Sequence, residues 1–127
     1  MHTIKSAFFT VLVLITIPAA AFAHAKMTAS VPKDGSIVPV GLSEIELDFS
    51  KPLRLTVVHV MRTPEQKEIS LTSELPKSFV KTAKLKVGTL PAGAYEVSWT
   101  AAADDGHVMN GSFKFSVNEA EHAKPAQ

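Results

Sequence analysis

The chain has no cysteine among its 127 residues. Without thiols there can be no disulfide framework, no thiolate nucleophile and no Cys ligand for zinc or copper(I). Any metal it holds must be met by nitrogen, oxygen or thioether donors. It also lacks an excess of either charge, since 13 basic residues stand against 12 acidic ones, a formal net charge of +1. That balance offers no field to gather nucleic acid or an anionic membrane, and neither is expected as a partner. No stretch of useful length carries the 3.6-residue apolar stripe of an amphipathic helix, which argues against a helical bundle.

The one long apolar run lies at the start. Residues 7–17 follow a short segment with a single basic residue, Lys5. Pro18 and small residues come next, ending in Ala21-Phe22-Ala23, an Ala-x-Ala cleavage pattern. A membrane-spanning helix needs about 20 apolar residues, and Pro18 breaks this run before that length. Residues 1–23 are therefore expected to be a cleaved signal peptide. Cleavage leaves His24 first, its free α-amine beside its own imidazole, and those two nitrogens can close a chelate ring on a metal ion.

The remainder is the size of one small domain and alternates in several short segments. A first strand is expected at residues 26–31, ended by the turn Pro32-Lys33-Asp34-Gly35. Residues 44–49 put Ile45, Leu47 and Phe49 on one face and three carboxylates on the other, as in a half-buried strand. Ser50-Lys51-Pro52 interrupts, and residues 53–61 make a third strand with Leu53, Leu55, Val57 and His59 on one face, although Val58 and Val60 make that alternation ambiguous. A short strand at 68–71, an irregular connection at 72–81, and strands around Leu85 and Val87, at 94–99 and at 112–117 complete the set. Tyr95, Val97, Trp99, Phe113, Phe115 and Val117 join Ile45, Leu47, Phe49, Leu53, Leu55, Leu85 and Val87 in the expected core. About seven short strands separated by turns predict an all-β sandwich. Residues 118–127, rich in Ala, Glu, Lys and Pro without periodicity, are expected to be a flexible C-terminal tail, and His122 within it to be solvated.

One segment is not explained by core packing. Asp105-Gly106-His107 sets a carboxylate and an imidazole two positions apart, on one face if the backbone is extended, with Gly106 free to bend. Alone, this tripeptide is a common turn. Combined with a mature His24, it completes a set of one amine, two imidazoles and one carboxylate oxygen. Three nitrogens and one oxygen in a tetragonal plane suit copper(II); zinc, the chief rival, prefers tetrahedral surroundings. Asp104 is the alternative carboxylate if the register shifts by one.

These residues carry a resemblance. His24-Ala25-Lys26-Met27, the run from Ser30 to Gly35, the run from Ile45 to Ser50, the run from Pro91 to Trp99, Asp105-Gly106-His107 and the run from Gly111 to Val117 are, in this order and spacing, similar to the CopC family of periplasmic copper-binding proteins. The resemblance covers essentially the whole of residues 24–117. It implies a Greek-key, immunoglobulin-like β-sandwich that binds one copper(II) per chain through His24, with its α-amine, and through Asp105 and His107. It further implies a monomeric, non-enzymatic periplasmic protein that carries or sequesters copper in homeostasis and resistance, with an inner-membrane copper transporter of the CopD type as a partner. Two features depart from the family pattern. Met27, Met61 and Met109 are scattered, so no dedicated copper(I) site is expected, with His59 and Met61 at most a remnant of one. Lys51 stands where family members commonly carry an acid. A contrasting reading is an oxidative enzyme with an N-terminal histidine brace, similar to lytic polysaccharide monooxygenases, but those domains are usually longer.

Overall fold

A computed structural model describes residues 25–119. The expected signal peptide, His24 and the tail from residue 120 onward lie outside the described residues. Seven strands follow one another: β1 (Met27–Val31), β2 (Ser36–Pro39), β3 (Glu44–Thr63), β4 (Lys67–Ile69), β5 (Val80–Lys86), β6 (Gly93–Ala102) and β7 (Val108–Asn118).

The strand β3 belongs to two sheets. Its first half pairs antiparallel with β1 and β5, and its second half with β4 and β6. Sheet B continues from β6 to β7 and ends at β2, which runs parallel to β7. The interruption expected at Ser50-Lys51-Pro52 is thus no break in the strand. Pro52 lies where the pairing with β5 shifts register between Asp48 and Leu53, just before the ladder to β6 opens at Arg54. A residue without an N–H is tolerated there because no regular ladder needs one.

A second irregularity explains the ambiguous alternation. The register to β6 shifts between Leu55 and Val57, so Thr56 is the extra residue of a β-bulge. Beyond it the inward face changes parity. Leu55 is buried, Val57 is 40% exposed, and Val60 is fully buried. His59 consequently faces solvent, where its Nδ1 lies 2.7 Å from Glu68 Oε1.

The core lies between the sheets and contains every residue expected there. It also takes in Val60, Ala83, Leu90 and Ala101. Phe49 of sheet A meets Trp99 of sheet B edge-on, with ring centroids 5.1 Å apart. Tyr95 donates its hydroxyl to the Pro91 carbonyl four residues upstream, the tyrosine-corner bond of sandwich domains, and burial raises its pKa. The Asp34-Gly35 turn is tied to β7. Asp34 Oδ1 accepts the Lys114 N–H at 2.9 Å, and the Gly35 N–H donates to the Lys114 carbonyl at 2.7 Å.

Candidate metal centre

Three features meet at one end of the sandwich: the entry into β1, the crossing point of β3, and the loop joining β6 to β7. Met27 pairs with Phe49, the Lys26 N–H donates to the Ser50 hydroxyl at 3.0 Å, and the Ser50 N–H donates to the Lys26 carbonyl at 2.8 Å. Four residues further along β3, Arg54 pairs with Ala102, the last strand residue before the loop.

The loop is a tight hairpin. The Gly106 N–H donates to the Ala103 carbonyl at 3.0 Å, closing a turn with Asp104 and Asp105 at its centre. The Ala103 N–H donates to the His107 carbonyl at 2.8 Å. Gly106 has a φ of 87°, the left-handed residue that commonly follows such a turn and returns the chain to the ladder. Asp105 and His107 therefore meet across a turn, not along an extended strand as their spacing suggested.

The meeting is close. Asp105 Oδ1 accepts the His107 backbone N–H at 3.0 Å, and Oδ2 lies 2.8 Å from His107 Nδ1. The backbone N–H first, and the imidazole second, hold the Asp105 pKa below its ordinary value of 3.8. The carboxylate is thus anionic at any physiological pH. With Nδ1–H donated to Asp105, the basic lone pair of a neutral imidazole sits on Nε2, the arrangement in which a carboxylate orients a histidine toward a metal. Asp104, the alternative carboxylate, is exposed in the same turn.

Among the described residues, no group of three or more His, Cys, Asp or Glu side chains could hold a metal ion. The hairpin brings together two side chains that could serve as metal donors. Ala25 is the first described residue. It is buried, and with Lys26 and Met27 it lines a groove whose other wall is formed by Val108, Met109 and Gly111 of β7 and whose floor is Trp99. His24 itself lies outside the described residues, but its covalent neighbour sits against the strand that His107 leads into.

Comparison with known proteins bears on what this end of the molecule does. The family model described as the CopC domain matches residues 27–118. The chain belongs to the CopC family. It is 31% identical to copper resistance protein C of Pseudomonas syringae pv. tomato over 112 residues, covering 80% of this chain and 86% of that one. It is 27% identical to copper resistance protein C of Escherichia coli over 129 residues, covering 92% and 99% of the two chains. Copper transport protein CutJ of Bacillus subtilis is 28% identical over 114 residues, but the match spans 87% of this chain and only 21% of that protein. Among solved structures, CopC of Methylosinus trichosporium superposes with a TM-score of 0.64 at 19% identity, covering 77% of this chain and 97% of that one. PcoC, a methionine-rich copper resistance protein of E. coli, superposes with a TM-score of 0.62 at 27% identity, covering 76% and 100%. These neighbours share the sandwich described above.

Several site features had no signal in the sequence. The Ser50 hydroxyl that receives the Lys26 N–H, and the groove that gathers Met27, Trp99 and Met109, depend on contacts between distant segments. Lys51 is exposed on β3.

Proposed function

We propose that this protein binds copper(II) in copper homeostasis and resistance, one ion per chain, as a carrier or sequestering protein without catalytic activity of its own. The observation that carries this reading is the Asp105–His107 pair, preorganised on the hairpin beside the segment that starts at Ala25, in a chain of the CopC family. His24 provides its α-amine and imidazole, His107 its Nε2, and Asp105 either an oxygen ligand or the carboxylate that orients His107. A free α-amine titrates near 7.7–8.0, so the metal displaces a proton and affinity falls as pH falls.

The α-amine exists only after residues 1–23 are removed, which makes export part of maturation and the periplasm the place of action. Residues 24–117 are the binding domain, and residues 118–127 its tail. An inner-membrane transporter of the CopD type fits as the partner that receives or supplies the ion, with the protein itself acting as a monomer. The relatives are named for copper resistance and copper transport, and none of those names favours the oxidative alternative.

The test is copper(II) titration of the processed protein beside its His107→Ala variant. The reading requires saturation at one ion per chain and a marked loss of affinity in the variant. Equal affinity in the two proteins would end it.

A further inference from the structure

Sheet B is open along part of one side. The Lys114 N–H and carbonyl point away from β6, bonded to Asp34 Oδ1 at 2.9 Å and to the Gly35 N–H at 2.7 Å. On the same side the Asn118 carbonyl accepts the Val40 N–H at 3.0 Å. β6 and β7 pair from Val108 to Val117 without a register shift. The two-residue period of the ladder therefore turns the backbone N–H and C=O of Val108, Asn110 and Ser112 toward that side as well. β2 covers it only from Phe115 onward, and among the described residues no strand pairs with the edge from Val108 to Ser112. The other described edges are guarded. β1 carries a register shift between Met27 and Ala29, and β2 is four residues ending in Pro39. β4 is three residues with Lys67 and Glu68, and β5 bears Lys81, Lys84 and Lys86. Bulges, prolines, brevity and charges keep edges from recruiting further strands. The open stretch Val108-Met109-Asn110-Gly111-Ser112, part of an eleven-residue strand, has no charge, proline or bulge.

We infer that this edge takes an extended peptide segment of a partner protein as an added strand, seated in the groove between β7 and β1. The groove holds about 460 Å³, and its far wall is Ala25, Lys26 and Met27. Main-chain bonds to Val108, Asn110 and Ser112 hold the segment, and every second side chain of it faces inward. The inward positions look onto Met27, Met109 and Trp99, which favour apolar residues. Gly111 gives β7 no side chain over the Trp99 ring, and a Cβ there would stand 3.0 Å from the indole Nε1. That nitrogen is buried with no acceptor among the described residues. An unpaired buried donor is costly, and an oxygen of a strand entering beside Gly111 offers it a partner. Among the described residues lining the groove only Lys26 is charged, so an acidic side chain on the segment is favoured. A hydrated edge is the ordinary alternative, and it does not explain why this edge is left unguarded when the others are not. The inference goes beyond the copper(II) reading, because it concerns a partner's main chain and not the ion.

The test selects a displayed library of random decapeptides on the processed protein and follows the tightest binder by amide hydrogen exchange. In the protein alone the Val108, Asn110 and Ser112 amides should exchange quickly. Those of Met109 and Gly111, which donate to β6, should exchange slowly. Bound peptide should slow the first three by roughly tenfold or more. Of two versions of the peptide N-methylated on alternate residues, only the one blocked toward β7 should bind more weakly, again by roughly tenfold or more. Asn110→Pro removes an edge N–H that the fold does not use and should weaken binding as much. Ser112→Lys, which charges the edge, makes the same check if the proline variant fails to fold. Failure to select any peptide overturns the inference. So does a binder that leaves the three amides unprotected, equal binding by the two methylated peptides, or undiminished binding by the edge variants. Slow exchange of the three amides in the protein alone also overturns it, because a second copy or residues 120–127 would then already cover the edge. Copper enters none of these measurements, so their failure and that of the copper(II) reading are separate outcomes.

Discussion

One carboxylate fixes His107 twice: Asp105 accepts its backbone N–H at 3.0 Å and faces its ring Nδ1 at 2.8 Å. The first bond sets the turn and the second sets the tautomer. Asp105→Asn keeps an acceptor for the backbone N–H but removes the charge that fixes the imidazole. It should weaken copper(II) binding by about 10–100-fold, the usual effect of losing a ligand's orienting partner. His107→Ala, which removes the ligand itself, should cost more. Competition titration against a chelator of known affinity checks both, and an Asp105→Asn variant as tight as wild type would contradict this role.

Because Asp105 is held below its ordinary value of 3.8, its contribution has a definite sign. A depressed folded-state pKa means that the bonds to His107 stabilise the hairpin above the unfolded pKa and are lost as pH falls through the lower folded value. An NMR titration of the metal-free protein should therefore place the Asp105 midpoint below 3.8. Copper(II) release should begin at much higher pH, where the α-amine and the imidazoles take up protons. Loss of copper that follows the Asp105 midpoint would contradict this order.

Gly106 adopts a φ of 87°, and a Cβ at this position would meet nothing within 4 Å, so only backbone conformation opposes a side chain there. Gly106→Ala should cost about 1–2 kcal/mol and loosen the Asp105–His107 pairing. Gly106→Asn, tolerated in left-handed conformations, should cost less. Denaturant midpoints order the three proteins.

Gly111 is constrained by space instead. A Cβ would approach the Trp99 ring to 2.7 Å, so Gly111→Ala must displace the indole or β7. Overpacking of this kind typically costs about 1–3 kcal/mol, and near-ultraviolet circular dichroism from the single Trp should change with it.

Much of the fold was legible because alternation reports burial directly. Ile45, Leu47, Phe49, Tyr95, Val97, Trp99, Phe113, Phe115 and Val117 could be placed inside from spacing alone, and all are buried. What escaped depends on partners. β2 is four residues with mixed exposure, and only its parallel pairing with β7 makes it a strand. The bulge at Thr56, which turns His59 outward and Val60 inward, has no local marker. At the site, the spacing of Asp105 and His107 was legible. The turn that joins them, and the groove that unites Met27 with Met109, come from hydrogen bonds and packing across the sandwich.

The central claim is that the α-amine of a processed His24 completes the site begun by Asp105 and His107. The most direct measurement is copper(II) affinity of the protein starting at His24 against one carrying a single extra residue before it. The account predicts a large loss of affinity in the extended protein, together with a change in its copper(II) electron paramagnetic resonance spectrum. Equal affinities and identical spectra would contradict it.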